Sequence, residues 1–174
     1  ANFLNIFSLY IVYYMKVGII GSGGREHALC HFLFNSKKDT KIFCIAGNAG
    51  TSSLAQNLSV DPNNFEEIKK TVIKNKIDFI IVGPEKPLVE GLVDYLKKYD
   101  IKVFGPNKTA SQLEGSKIFT KKLCEKYNIP TAKFGIYKNN KDAIEFLNNT
   151  NFPIVIKADG LASGKGVYIS ENKE

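Results

Sequence analysis

Val17-Gly18-Ile19-Ile20-Gly21-Ser22-Gly23-Gly24-Arg25-Glu26-His27 runs from a short apolar strand through a glycine turn into a helix predicted from about Arg25 to Phe34. A strand that ends in glycines and opens a helix is the first unit of a parallel α/β sheet. Glycines at that turn let the backbone approach an anion closely, and the helix N-terminus favours phosphate. As a dinucleotide fingerprint the stretch fails twice. The third glycine of G-x-G-x-x-G falls on Glu26, and the second strand ends at Ile45 and runs into Ala46 and Gly47 with no Asp or Glu for a ribose hydroxyl. The residues predict a Rossmann-like turn without nicotinamide chemistry. A tight turn that binds nothing is the competing reading.

The pattern repeats downstream. Lys41–Ile45 reads as a second strand ending in the loop Gly47–Thr51, and Leu58–Val60 as a further short strand. Asn64, with Glu67 at the capping-box position, predicts a helix running to about Lys74. Asp78–Val82 is an apolar strand closed by Gly83-Pro84. Pro87 suits the first turn of a single helix with Leu88, Leu92, Val93 and Leu96 on one face. Ile101–Phe104 is the following strand, closed by Gly105-Pro106. Such repetition predicts a parallel sheet covered on both faces. Ligands of these sheets sit outside the carboxyl ends of the strands, so Gly21–Arg25, Gly47–Thr51 and Gly83–Pro87 are expected at one edge.

After Pro106 the order changes. Helices are predicted near Lys108–Glu114 and Ser116–Tyr127, and Ile129-Pro130-Thr131 starts an extended segment toward Phe134 and Ile136. A helix near Lys141–Leu147, a strand Pro153–Lys157, a glycine-rich stretch Ala158–Gly166 and a strand Val167–Ser170 follow. A domain boundary is expected near Glu114–Lys117.

The bulk properties narrow the class. The 174 residues are 44% hydrophobic and 24% charged, as in a soluble globular protein. The net charge of +7 comes mainly from scattered lysines such as Lys37, Lys38, Lys69, Lys70, Lys97, Lys98, Lys121 and Lys122, mostly on expected helix faces. No arginine stripe interleaved with aromatics points to nucleic acid. Three cysteines without C-x-x-C spacing point to a reducing compartment. His27 and His31 lie one helical turn apart but lack a third ligand at a recognisable spacing, so zinc is not expected. Ala1–Tyr14 is apolar and aromatic without the basic start of a signal peptide, and Met15 reads as the natural start. A targeting segment or membrane-surface anchor is the alternative for these fourteen residues.

The sharpest local signal is Lys157-Ala158-Asp159-Gly160-Leu161-Ala162-Ser163-Gly164-Lys165-Gly166-Val167. A lysine ending a strand can point at a phosphate, and a glycine-rich loop with a second lysine can close over a nucleotide with its backbone N–H groups. It is not a Walker A loop, because Gly160 and Gly164 stand too close and Gly166 takes the place of the magnesium-binding Ser or Thr. Between two strands it suits a β-hairpin lid. An ordinary glycine-rich turn is the plain alternative.

These two stretches, with Gly47-Asn48-Ala49-Gly50-Thr51, Val82-Gly83-Pro84-Glu85, Gly105-Pro106, Gln112-Leu113-Glu114-Gly115-Ser116-Lys117 and Ile129-Pro130-Thr131-Ala132, resemble the glycinamide ribonucleotide synthetase family of ATP-grasp ligases. The motifs stand in the family's order and spacing from Met15 to about Ser170. The resemblance implies a Rossmann-like parallel-sheet domain over 15–115 and the start of an ATP-grasp domain over 116–174, with 1–14 outside the family pattern. It implies an enzyme of de novo purine biosynthesis that joins glycine to 5-phosphoribosylamine through a glycyl phosphate, splitting ATP to ADP and phosphate.

By position, Lys117, Lys157, Gly160, Ser163, Gly164, Lys165 and Gly166 would contact ATP. Gly21, Ser22, Gly23, Gly24, Arg25, Glu26, His27, Gly83, Pro84 and Glu85 would form the phosphoribosylamine side. Magnesium or manganese is implied, with its ligands, the catalytic residues and most glycine contacts expected beyond Glu174. The implied partners are small molecules, without nucleic acid, and without membrane unless the leading segment is native. The implied location is cytoplasmic, with organellar targeting by residues 1–14 left open. Another ATP-grasp ligase or carboxylase subunit, a dinucleotide-dependent oxidoreductase and a non-catalytic nucleotide-binding module are the rival readings.

Overall fold

The chain is described from a computed structural model that covers residues 14–36 and 39–172. The expectations for Ala1–Tyr13, and the helix placement of Lys37 and Lys38, lie outside the described residues. The first half alternates as expected: β1 (Met15–Gly21), α1 (Gly24–Phe34), β2 (Thr40–Ala46), a 3-10 turn (Thr51–Ser53), β3 (Gln56–Leu58), α2 (Phe65–Asn75), β4 (Phe79–Val82), α3 (Glu85–Glu90), α4 (Leu92–Lys97) and β5 (Val103–Phe104). The sheet order is β3-β2-β1-β4-β5, and every neighbouring pair is parallel. Gly21 stands opposite Ala46, and Ile20 opposite Val82. Three strands therefore end level, at one edge.

The strands are apolar on both faces because both faces are covered. Ile20, Phe43, Ile45 and Ile80 pack under α2 and α4, with Ile68, Val72, Leu92, Val93 and Leu96. Val17, Ile19, Ile42 and Cys44 pack under α1, with Cys30 and Leu33. Each fully buried side chain of this size contributes about 1.5–3 kcal/mol. Cys30 and Cys44 are free thiols with Sγ atoms 2.9 Å apart. Burial pushes the Cys30 thiol up to about 12, which makes it an inert core group.

The capping prediction for α2 holds: the Asn64 side chain accepts from the Glu67 N–H at 3.1 Å. Glu67 answers through Asn64 Nδ2 at 3.2 Å rather than through the backbone. Three expectations are corrected. The single helix after Pro87 is two helices, because Gly91 adopts φ +99, which only glycine takes easily, and turns the chain before Leu92. The third strand is Gln56–Leu58 rather than Leu58–Val60, since Val60 N–H folds back to Leu58 O at 2.9 Å ahead of Asp61-Pro62. The fifth strand is shorter at its start: Ile101 N–H is drawn to Leu96 O at 3.4 Å.

Beyond β5 come α5 (Lys108–Gly115), α6 (Lys117–Lys126), α7 (Asn140–Asn148), β6 (Ile154–Lys157) and β7 (Val167–Ser170). β6 and β7 form the expected antiparallel hairpin, with Lys157 opposite Val167 and Ile154 opposite Ser170. Neither α6 nor α7 has a buried residue. Among the described residues no helix is long and apolar enough to cross a membrane.

Candidate functional site

The parallel sheet brings the first three predicted loops to its carboxyl edge, where they are hydrogen-bonded to one another. Gly47 N–H donates to Gly21 O at 3.0 Å, and Gly83 N–H donates to Ile20 O at 3.1 Å. Asn48 Nδ2 donates to Ser22 O at 2.9 Å. Arg25 reaches across from the first turn of α1, donating from Nη1 to Gly83 O and from Nη2 to Glu85 Oε1 at 2.7 Å. The Glu85 carboxyl is held below its ordinary 4.5 by that bond, and the Arg25 guanidinium is raised in return.

Glu26 is placed beneath the glycine turn, only 4% exposed. Its Oε2 accepts from Gly23 N–H at 2.6 Å. A Cβ at Gly83 would overlap Glu26 Oε1, and one at Gly21 would lie 2.8 Å from Glu26 Cδ. The glycines are thus required by the carboxylate that braces them as much as by any ligand. His27 is partly buried in the same way, its ring filling the space that a Cβ at Gly50 would enter at 2.5 Å. Gly21–Gly24, Arg25, Pro84 and Glu85 line a cavity of about 430 Å³. Glu26, and Lys86 and Pro87 of the marked Gly83–Pro87 loop, line it too, as do Pro62 and Asn63, which no expected motif included. The signal was present: Pro62 and Asn63 follow β3, which ends at the same edge as its parallel neighbours.

The second cluster is the hairpin. Ala158 N–H donates to Gly166 O at 2.8 Å, extending the ladder past Lys157, and Lys165 N–H donates to Ala162 O at 2.8 Å to close the tip. Gly160 and Gly164 take φ +88 and +78, and a Cβ at either would meet nothing within 4 Å. Lys157 and Lys165 are exposed and form no ion pair among the described residues. Lys117, 40 residues earlier, joins the hairpin: its Nζ donates to Gly160 O at 2.9 Å. The two clusters are connected through α5, whose terminal Gly115 approaches α3 so closely that a Cβ there would lie 2.6 Å from Val89 Cγ2.

Open space above a glycine loop flanked by free cations fits a nucleotide's phosphates. A divalent cation is less well served. Among the described residues no group of three or more His, Cys, Asp or Glu side chains is placed to hold one.

A doubly covered parallel sheet with a braced glycine edge, followed by a lysine-bearing glycine hairpin, is an arrangement of the ATP-grasp class. The family model described as phosphoribosylglycinamide synthetase, N domain, matches residues 15–114, and that of the same synthetase's ATP-grasp (A) domain matches residues 115–174. The chain belongs to the phosphoribosylglycinamide synthetase family, as its motifs implied. It is 49% identical over 155 residues to the phosphoribosylamine–glycine ligase of Caldanaerobacter subterraneus subsp. tengcongensis, covering 89% of this chain and 37% of that one. The crystal structure of the Thermotoga maritima phosphoribosylamine–glycine ligase superposes with a TM-score of 0.72 at 32% identity, over 91% of this chain and 37% of that one. An ADP complex of N5-carboxyaminoimidazole ribonucleotide synthetase shares the fold, with a TM-score of 0.71 at 18% identity, over 93% of this chain and 43% of that one. The chain thus spans well under half the length of these relatives.

Proposed function

We propose that this chain is the front part of a phosphoribosylamine–glycine ligase, which joins glycine to 5-phosphoribosylamine as ATP is split to ADP and phosphate. The observation that carries the reading is the unbroken run of both family matches over residues 15–174, in register with the braced loop cluster. Residues 15–115 would hold the phosphoribosylamine side, and residues 116–174 would begin the ATP side. Free thiols at Cys30, Cys44 and Cys124 accord with a reducing, cytoplasmic setting.

The chemistry assigns work to each cluster. A glycine carboxylate becomes an electrophile only as an acyl phosphate, and that glycyl phosphate must be kept from water until the amine attacks. Lys117 and Lys157 would offset charge on the transferring phosphoryl group. Gly160, Ser163, Gly164, Lys165 and Gly166 would close over it with backbone N–H groups. At the sheet edge, Gly21–Gly24 would present the N-terminus of α1 to the phosphoribosylamine phosphate. Arg25 and Glu85 would fix the Gly83-Pro84 wall, and His27 would back Gly50. Glu26 would act from below, as the brace of that loop. Magnesium would join the nucleotide through ligands outside the described residues, so no step is assigned to it.

The test is phosphate release by the full-length protein with ATP, glycine and phosphoribosylamine. Release that needs all three and yields glycinamide ribonucleotide supports the reading. Release that ignores glycine, or that another carboxylate supports better, overturns it.

A further inference from the structure

The hairpin's most connected side chain is one that the nucleotide assignment does not use. Asp159 lies between Lys157 and Gly160, yet its bonds run to another element. Its Oδ1 and Oδ2 both accept from Ser116 Oγ at 3.1 Å, and Oδ1 accepts from Ile118 N–H at 3.2 Å. Burial pushes the carboxyl upward, but N–H groups of Ile118, Gly160 and Lys117 and the Ser116 hydroxyl together hold it below its ordinary 3.8. Asp159 therefore caps the N-terminus of α6 from a distance of more than forty residues, beside the local cap, where Phe119 N–H donates to Ser116 Oγ at 3.0 Å. One residue on, Lys117 Nζ donates to Gly160 O at 2.9 Å. The same two backbone points, the start of α6 and the start of the glycine loop, are thus tied twice.

We infer that Asp159 is a positioning residue for Lys117: by clamping the root of the glycine hairpin to the start of α6, it fixes where that ammonium stands against the nucleotide. The inference rests on the nucleotide reading of Lys117 given above. A flexible lysine delivers its charge at phosphate without an ordering cost only if its backbone and first contact are already set. The clamp also sets where the mobile part begins. Ala158 is held by the strand ladder, Asp159 by α6 and Gly160 O by Lys117, so movement of a lid starts at Leu161. Position 159 must therefore be a short acceptor. A longer side chain would push the hairpin off the helix, and an apolar one would leave the N–H of Ile118 and the Ser116 hydroxyl without this partner.

The test is a double-mutant cycle in the full-length enzyme, read as the ATP KM and kcat of each variant. Asp159→Ala is expected to raise the ATP KM about tenfold, the size of one lost charge-assisted bond, with kcat changed far less. Asp159→Asn keeps one acceptor oxygen and should recover most of that loss, which also covers the case in which the alanine variant folds poorly. Lys117→Ala should raise the KM at least as much, and adding Asp159→Ala to it should cost nothing more. Independent, additive losses would overturn the inference, since they would mean that Asp159 acts on ATP binding by a route other than Lys117. An unchanged KM in Asp159→Ala beside a raised one in Lys117→Ala would overturn it too, and would leave the nucleotide reading intact. An unchanged KM in Lys117→Ala would remove that reading and the inference together.

Discussion

Residues 15–105 and residues 116–172 answer to the same local signals but reach different states. In the first region Ile19, Ile20, Ile45 and Ile80 are wholly buried, because helices cover the sheet on both sides. In the second, Val155 is 54% exposed, Tyr168 64% and Ile169 59%, on a hairpin whose two faces both carry apolar side chains. A two-stranded hairpin of that kind has little stability of its own in water. The difference shows which unit closes its own core among the described residues. The sheet-edge loops are held by a closed core and by Glu26, whereas the hairpin is held by Asp159, Lys117 and its own ladder.

The largest expected effect separates the two cores. In the 174-residue chain, Ile45→Ala should cost about 3 kcal/mol of unfolding free energy, through lost transfer energy and a cavity. Ile169→Ala should cost under about 0.5 kcal/mol, as exposed substitutions do. Urea unfolding measures both, and comparable costs would erase the contrast.

The second effect sets the strand-end lysine against the loop lysine. In the full-length enzyme Lys157→Ala should lower kcat/KM for ATP about a hundredfold, as loss of a fixed cation at a phosphoryl site does. Lys165 lies at the hairpin tip and must be immobilised on closure, so its alanine variant should lose about fivefold, close to the value of an exposed ion pair. Steady-state kinetics with ATP varied would decide. An equal or larger loss at Lys165 would show that lid charge governs nucleotide handling.

Much of this contrast could be read from residue order, and the reasons are physical. Apolar strands ending in glycine fixed the parallel sheet, and parallel strands bring their loops to one edge whatever the loop sequence. The Asn64 cap was readable because both partners lie within one turn. What escaped reading depends on groups distant in sequence or on a single dihedral. Gly91 inside an apolar helical pattern looks like a tolerated glycine, and only its positive φ divides α3 from α4. The bracing role of Glu26 beneath the turn could not be read, because it depends on Gly83, 57 residues away. Pro62 and Asn63 belong to a turn that carries no chemistry of its own. Asp159 stood inside a quoted motif, but its role depends on Ser116 and Ile118.

The glycines of the two regions sharpen the comparison at smaller scale. Gly83→Ala should destabilise the chain by about 2 kcal/mol, since the new methyl must displace the buried Glu26 carboxylate. Gly164→Ala has open space and only an unfavourable φ of +78, so about 1 kcal/mol is expected. Thermal unfolding of the two variants measures the order. A costlier Gly164→Ala would mean that the hairpin is the more tightly packed site.

The smallest effect is electrostatic. The folded Glu85 carboxyl titrates below its unfolded value because Arg25 donates to it, so its contribution is present above about pH 4.5 and fades as pH falls through the lowered value. The pair is 58% and 44% exposed, so solvent screening limits it to about 0.5 kcal/mol. Arg25→Met should therefore be less stable than the unaltered chain at neutral pH. The part of the deficit due to Glu85 should fade as pH falls through the lowered carboxyl value, leaving the part due to the bond to Gly83 O. A difference that does not shrink in acid would show that the Glu85 carboxylate contributes nothing and that the bond to Gly83 O carries the role of Arg25.

Hydrogen exchange on the 174-residue chain tests the central contrast most directly. The account predicts that amides of β1, β2 and β4 exchange only through global unfolding, while those of β6 and β7 exchange about a hundredfold faster or more. Equal protection in the two sets would contradict it.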